Sequence, residues 1–266
     1  MTCPRIGIFD SGVGGLSVLR ELRKELPGAA LHYVADSGHA PYGERGDAHV
    51  LNRSQRVASH LIHCGADIVV IACNTATAVA ARSLRDAWPQ TPIVGVEPGI
   101  KPALAATRNG EVGVMATRGT LNSAKFMQLV AVLAPHKPLH LRACDGLAAS
   151  IEEGLLDAPG VLSLVEHHTK TLRDAGIDTV VLGCTHYAFA RRHIQAAFGP
   201  AVHIIDTAVA VARHAAHTAR ETLPSIGLQA EPPSPMLLQT TGSTAQLERI
   251  ASAWLGERIT ASHIAV

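Results

Sequence analysis

Two stretches of this chain echo each other 111 positions apart. Gly65-Ala66-Asp67-Ile68-Val69-Val70-Ile71-Ala72-Cys73 resembles Gly176-Ile177-Asp178-Thr179-Val180-Val181-Leu182-Gly183-Cys184. Two further echoes keep the same order at nearly the same offset. Ile6-Gly7-Ile8-Phe9-Asp10-Ser11 pairs with Val112-Gly113-Val114-Met115-Ala116-Thr117, and Ile93-Val94-Gly95-Val96-Glu97 with Val202-His203-Ile204-Ile205-Asp206. Any two parallel strands share β-branched residues. They do not by that token share a terminal cysteine with matched Gly and Asp before it, so the echoes read as duplication of a half-chain unit.

The rest of the pattern fits that unit. Strand-like runs fall at 5–10, 30–35, 67–73, 92–97, 111–116, 138–142, 178–184, 201–206 and 236–241. Between them lie stretches with helical spacing of apolar residues, such as Leu16 to Leu26, Val79 to Trp88, Val161 to Ala175 and Ala208 to Thr222. This alternation predicts an α/β fold of two pseudo-symmetric domains, each a mostly parallel sheet flanked by helices, with the active site in the cleft between them. The offsets divide the chain into residues 1–97 plus 207–266, carrying Asp10 and Cys73, and residues 98–206, carrying Cys184 and His186. Pro224 to Pro235, with four prolines, reads as an exposed loop.

Composition narrows the function classes. The net charge of +1 offers no electrostatic footprint for nucleic acid or an anionic membrane surface. Aromatics at 3% leave few stacking platforms for single strands. The most apolar runs are far too short to span a bilayer. Five widely spaced cysteines do not suggest a disulfide framework, and no signal peptide precedes the first strand, so a cytoplasmic location is expected.

Ligands of open parallel sheets bind beyond the carboxyl ends of the strands, where Cys73 and Cys184 both fall. Each precedes small polar residues, Asn74-Thr75 or Thr185-His186, and then a predicted helix. A thiol there meets the positive end of the helix dipole, which is expected to lower its pKa toward neutrality. Neighbouring N–H groups and the Asn and Thr side chains are suited to a substrate carboxylate. Two such domains face to face would set one thiol on each side of a ligand, a geometry suited to inversion at carbon by general acid–base catalysis. Asp10, ending the first strand beside Cys73, and His186, two residues after Cys184, are the natural helpers.

Other readings compete. A strand-end cysteine is commonly a small buried hydrophobe, the role assigned to Cys3, Cys64 and Cys144. A zinc site from Cys73, Cys184 and His186 lacks a Cys-x-x-Cys or His-x-x-x-His pair. A cysteine hydrolase would leave the second cysteine unexplained. Gly12-Val13-Gly14-Gly15 follows a strand, but Ser17 stands where a dinucleotide fingerprint needs glycine; a tight turn allowing close approach is the simpler account. None of the five lysines lies in a strand-end motif, as a pyridoxal phosphate enzyme would require.

Taken together, Asp10-Ser11-Gly12-Val13-Gly14-Gly15, Pro41-Tyr42-Gly43, Ala72-Cys73-Asn74-Thr75, Ala116-Thr117-Arg118-Gly119, Ile151-Glu152-Glu153-Gly154 and Gly183-Cys184-Thr185-His186-Tyr187 resemble the glutamate racemase family, within the aspartate/glutamate racemase superfamily. The resemblance implies that Cys73 takes the α-proton of the D-enantiomer with help from Asp10, and Cys184 that of the L-enantiomer with help from His186. It implies a substrate site from Asp10, Ser11, Tyr42, Gly43, Asn74, Thr75, Thr117, Glu152, Thr185 and His186. It further implies a small-molecule substrate, L- or D-glutamate, no cofactor or metal, D-glutamate supplied to peptidoglycan, and leaves a homodimer open.

Overall fold

The computed structural model describes residues 3–135, 137, 139–223 and 236–266; the Pro224–Pro235 stretch expected as a loop lies outside them. Among the described residues, ten strands form two all-parallel sheets. The first contains β1 (Arg5–Asp10), β2 (Ala30–Ala35), β3 (Ile68–Ile71), β4 (Ile93–Gly95), β9 (Met236–Thr240) and β10 (Ala261–His263), in the order β10-β9-β2-β1-β3-β4. The second contains β5 (Val112–Ala116), β6 (Leu139–Ala143), β7 (Thr179–Gly183) and β8 (His203–Ile205), in the order β6-β5-β7-β8.

The duplication is visible in these orders. β2-β1-β3-β4 and β6-β5-β7-β8 are the same arrangement, and the echoed runs occupy equivalent strands. Every residue of β3 and of β7 is buried, as strands covered by helices on both faces must be, which is why both read as unbroken apolar runs.

The helices are α1 (Leu16–Glu25), α2 (Asp47–His63), α3 (Asn74–Ala87), α4 (Ile100–Ala106), α5 (Arg118–Asn122), α6 (Ala124–Leu133), α7 (Leu147–Glu152), α8 (Pro159–Asp174), α9 (Arg191–Phe198), α10 (Ala208–Thr222) and α11 (Thr244–Leu255). After β4 the chain passes through Pro98 into α4, which packs on β7 and β8. After β8 it returns through Thr207 into α10, which packs on α1, β3 and β4. The chain thus crosses between the sheets twice, next to the echoed acids Glu97 and Asp206.

Two elements differ from the periodicity. The helix expected from Val79 starts at Asn74, because the Cys73 sulfur caps it by accepting the Ala76 N–H at 3.4 Å. Asn74-Thr75-Ala76-Thr77 lies buried on all sides, so its first turn shows no amphipathic face. The short edge strand β10 was not expected, since Ala261-Ser262-His263 is partly exposed and lacks β-branched residues.

Candidate active site

In each sheet the strand order reverses beside the first strand of the unit, between β1 and β3 and between β5 and β7. Strand-end loops diverge at such a point and leave a crevice. Ser11 and Cys73 stand at the first switch point, Thr117 and Cys184 at the second. All four line one cavity. Tyr42, Gly43, Asn74, Thr75, Thr185 and His186 line it too. Cys73 and Cys184 are free thiols, 5% and 8% exposed.

Asp10 and Glu152 do not line this cavity; each stands behind a thiol. Asp10 is fully buried and accepts from Ser11 Oγ at 2.9 Å, and the Cys73 sulfur contacts the same Ser11 Oγ at 3.9 Å. Ser11 therefore sits between Cys73 and its proposed helper. On the other wall, Cys184 Sγ lies 3.8 Å from His186 Nδ1, and His186 Nε2 lies 2.6 Å from Glu152 Oε2. Glu152 is the outer member of a thiol–imidazole–carboxylate series.

The walls are tied together by polar contacts across the cleft. Thr185 Oγ1 donates to Asp10 Oδ2 at 2.7 Å. Glu152 accepts from the Val13 N–H at 2.8 Å and from Ser37 Oγ at 2.6 Å. Thr75 Oγ1 meets Thr117 Oγ1 at 3.0 Å. The glycines of the β1–α1 turn make this approach possible. A Cβ on Gly14 would fall 2.6 Å from Thr185 Oγ1 and closer still to His186 Nδ1, and one on Gly12 would strike the Glu152 carboxylate. Neither glycine has positive φ, so the turn needs them for space rather than for handedness.

Burial and close contacts together shift the titrating groups. The expected lowering of the Cys73 pKa does not hold: burial, and then the Asp10 carboxylate, push the thiol up, outweighing the Ala76 N–H at the helix start. Burial also raises the Asp10 carboxyl, against the pull of His186 and of the Thr185 and Ser11 hydroxyls. For His186 burial opposes the charge, but contacts to Cys184 and Glu152 prevail and hold its pKa well above the ordinary imidazole range. Both shifts favour the protonated form, the thiol for Cys73 and the charged ring for His186.

One polar group aims at the cavity without a partner. Asn74 is 5% exposed, yet neither its Oδ1 nor its Nδ2 has a hydrogen-bond partner among the described residues. A buried amide left so costs stability unless a ligand completes it. The Tyr42 hydroxyl, by contrast, is committed to Asp36, so Tyr42 offers the cavity its ring and backbone. Sequence reasoning missed Ala148, Pro41 and Gly183 in the lining, since small apolar residues carry no chemical signal. It also missed the ion pair of Arg53 with Asp36, whose partners lie far apart in the chain. Among the described residues no three His, Cys, Asp or Glu side chains are placed to hold a metal ion.

Two all-parallel sheets that bring a strand-end thiol each to one cavity fit an amino-acid racemase, and the chain belongs to the Asp/Glu/hydantoin racemase family, whose model matches residues 6–215. Among curated relatives, the glutamate racemase of Ectopseudomonas mendocina is 50% identical over 208 residues, 78% of this chain and 79% of its own. That of Stutzerimonas stutzeri is 41% identical over 252 residues, covering 95% and 94%. Among solved structures, a glutamate racemase isoform of Bacillus anthracis superposes with a TM-score of 0.87 at 32% identity, covering 99% of this chain and 98% of its own. Among the described residues no helix is long and apolar enough to cross a membrane.

Proposed function

We propose that this chain interconverts L- and D-glutamate by cofactor-independent transfer of the α-proton between two thiols. The observation that supports this reading is that Cys73 and Cys184, each at the end of a strand of a different sheet, line one cavity, the first beside Ser11 with Asp10 behind it and the second beside His186 with Glu152 behind it. The walls would belong to two domains, residues 1–97 with 207–266 and residues 98–206. From L-glutamate, the Cys184 sulfur beside the His186 imidazolium takes the α-proton, and the neutral Cys73 thiol delivers its proton to the opposite face. From D-glutamate the roles reverse: Cys73 first loses its proton toward Ser11 and Asp10, His186 hands a proton to the Cys184 sulfur, and Cys184 delivers it to the opposite face. The enolate-like charge that develops on the α-carboxylate is met by the Asn74 amide and by N–H groups opening α3. General acid–base catalysis contributes about 10²–10⁴-fold, so preorganised donors must provide much of the remaining acceleration.

Glutamate as substrate rests on the relatives, all named glutamate racemase. The product D-enantiomer would serve peptidoglycan synthesis in the cytoplasm. The experiment is turnover of each enantiomer in heavy water, followed by circular dichroism and by proton NMR of the α-position. Early product should be α-deuterated while recovered substrate keeps its protium. Deuterium entering recovered substrate as fast as inversion proceeds would instead require a single base. Faster racemisation of aspartate than glutamate would reassign the substrate.

A further inference from the structure

Apart from His186, the cavity is lined without a cation, although the proposed substrate carries two carboxylates. Directly behind its Tyr42 wall, however, lies a third carboxylate. Asp36 is wholly buried, and the Tyr42 hydroxyl donates to its Oδ2. Arg53, on α2 and 5% exposed, grips it in a bidentate pair, Nε to Oδ2 at 2.9 Å and Nη2 to Oδ1 at 2.8 Å. The remaining arm, Nη1, donates to the main-chain oxygen of Val266 at 2.6 Å, and Thr241 Oγ1 adds a bond to Asp36 Oδ1 at 2.8 Å. The guanidinium fork is thus locked on three sides, the geometry for which arginine rather than lysine is suited.

This pair has a consequence for binding. The Asp36 charge stands one tyrosine ring away from the space a dianionic ligand would fill. Left uncompensated there, it would repel the ligand through a medium of low dielectric. We propose that Arg53 is a substrate-positioning residue: by neutralising Asp36 and fixing Tyr42 through it, it presents a dicarboxylate ligand with a wall free of net negative charge. The role rests on the racemase reading given above and concerns recognition, not proton transfer.

The test is steady-state kinetics of purified Arg53→Met, Asp36→Asn and the double variant with both glutamate enantiomers, from pH 6 to 9. Arg53→Met should raise KM by about tenfold or more at pH 8, the effect expected of one unpaired like charge, with a smaller loss in kcat. Removing the orphaned charge in the double variant should return KM to within about twofold of the parent. A merely structural role for Arg53 would leave the double variant as impaired as Arg53→Met, and that result, or an unmoved KM in Arg53→Met, overturns the proposal. Should Arg53→Met fail to fold, Asp36→Asn decides alone: KM should stay or fall, and a tenfold rise overturns the proposal. A parent protein inactive on glutamate removes the racemase reading and this role together; an active parent with unmoved KM removes this role only.

Discussion

Asp10 and His186 are both pushed toward their protonated forms, by opposite means. For Asp10 the cause is burial, so the folded protein disfavours its charge. That cost is absent below the ordinary carboxylate pKa and complete above the raised folded value. Asp10→Asn should therefore stabilise the protein at pH 7 while lowering turnover. Thermal melts should show the gain shrinking as pH falls toward 4. His186 behaves inversely. Its contacts with Cys184 and Glu152 favour the charged ring, so its contribution is full below the ordinary imidazole pKa and is lost as pH rises through the folded value. His186→Asn should destabilise most near pH 6 and least in alkaline melts. Cys73→Ser and Cys184→Ser should each lower racemisation by about 10²–10⁴-fold. Cys73→Ser should still wash solvent deuterium into L-glutamate without inversion, and Cys184→Ser into D-glutamate. Racemisation persisting in both variants would sink the two-thiol scheme.

At the scale of elements, the β1–α1 turn and the start of α3 carry the site. The turn works because its glycines let side chains of the other sheet's loops lie against its backbone. Gly14→Ala should displace His186 and Thr185, lowering kcat by about tenfold or more and costing about 1–3 kcal/mol of stability. Gly160, within α8 and with nothing within 4 Å of its would-be Cβ, makes the contrast. Gly160→Ala should stabilise by about 0.4–1 kcal/mol and leave turnover unchanged. Chemical denaturation paired with racemisation assays checks both. The central strands β1, β3, β5 and β7 were legible because parallel strands covered on both faces are continuous apolar runs. The early start of α3 was not, because its first turn is capped by a sulfur and buried all round, leaving no periodic face to read.

For the whole molecule, duplication sets the symmetry and the side chains break it. The two strand orders match, yet one thiol is served through a hydroxyl by a carboxylate and the other by an imidazolium. Unequal walls should give the enantiomers different kcat and different KM. Their kcat/KM values must nevertheless coincide at every pH, because enantiomers have equal free energy and the ratio of the two is the equilibrium constant. Full progress curves from both enantiomers test this; a persistent inequality would mean that something other than racemisation is being measured.

The chain order alone determined the paired α/β units and the position of both cysteines, because strand runs, turn glycines and an internal repeat are local patterns that survive without a third dimension. Tertiary structure decided what those residues are chemically. The Cys73 pKa rises instead of falling because burial outweighs one helix end, and burial is a property of everything packed around the sulfur. Glu152 stands behind His186, Ser11 between Cys73 and Asp10, and Arg53 behind Tyr42 through Asp36, because residues distant in sequence meet there. Charge and proton paths depend on distances of a few ångströms between separate elements, which no single stretch of sequence encodes.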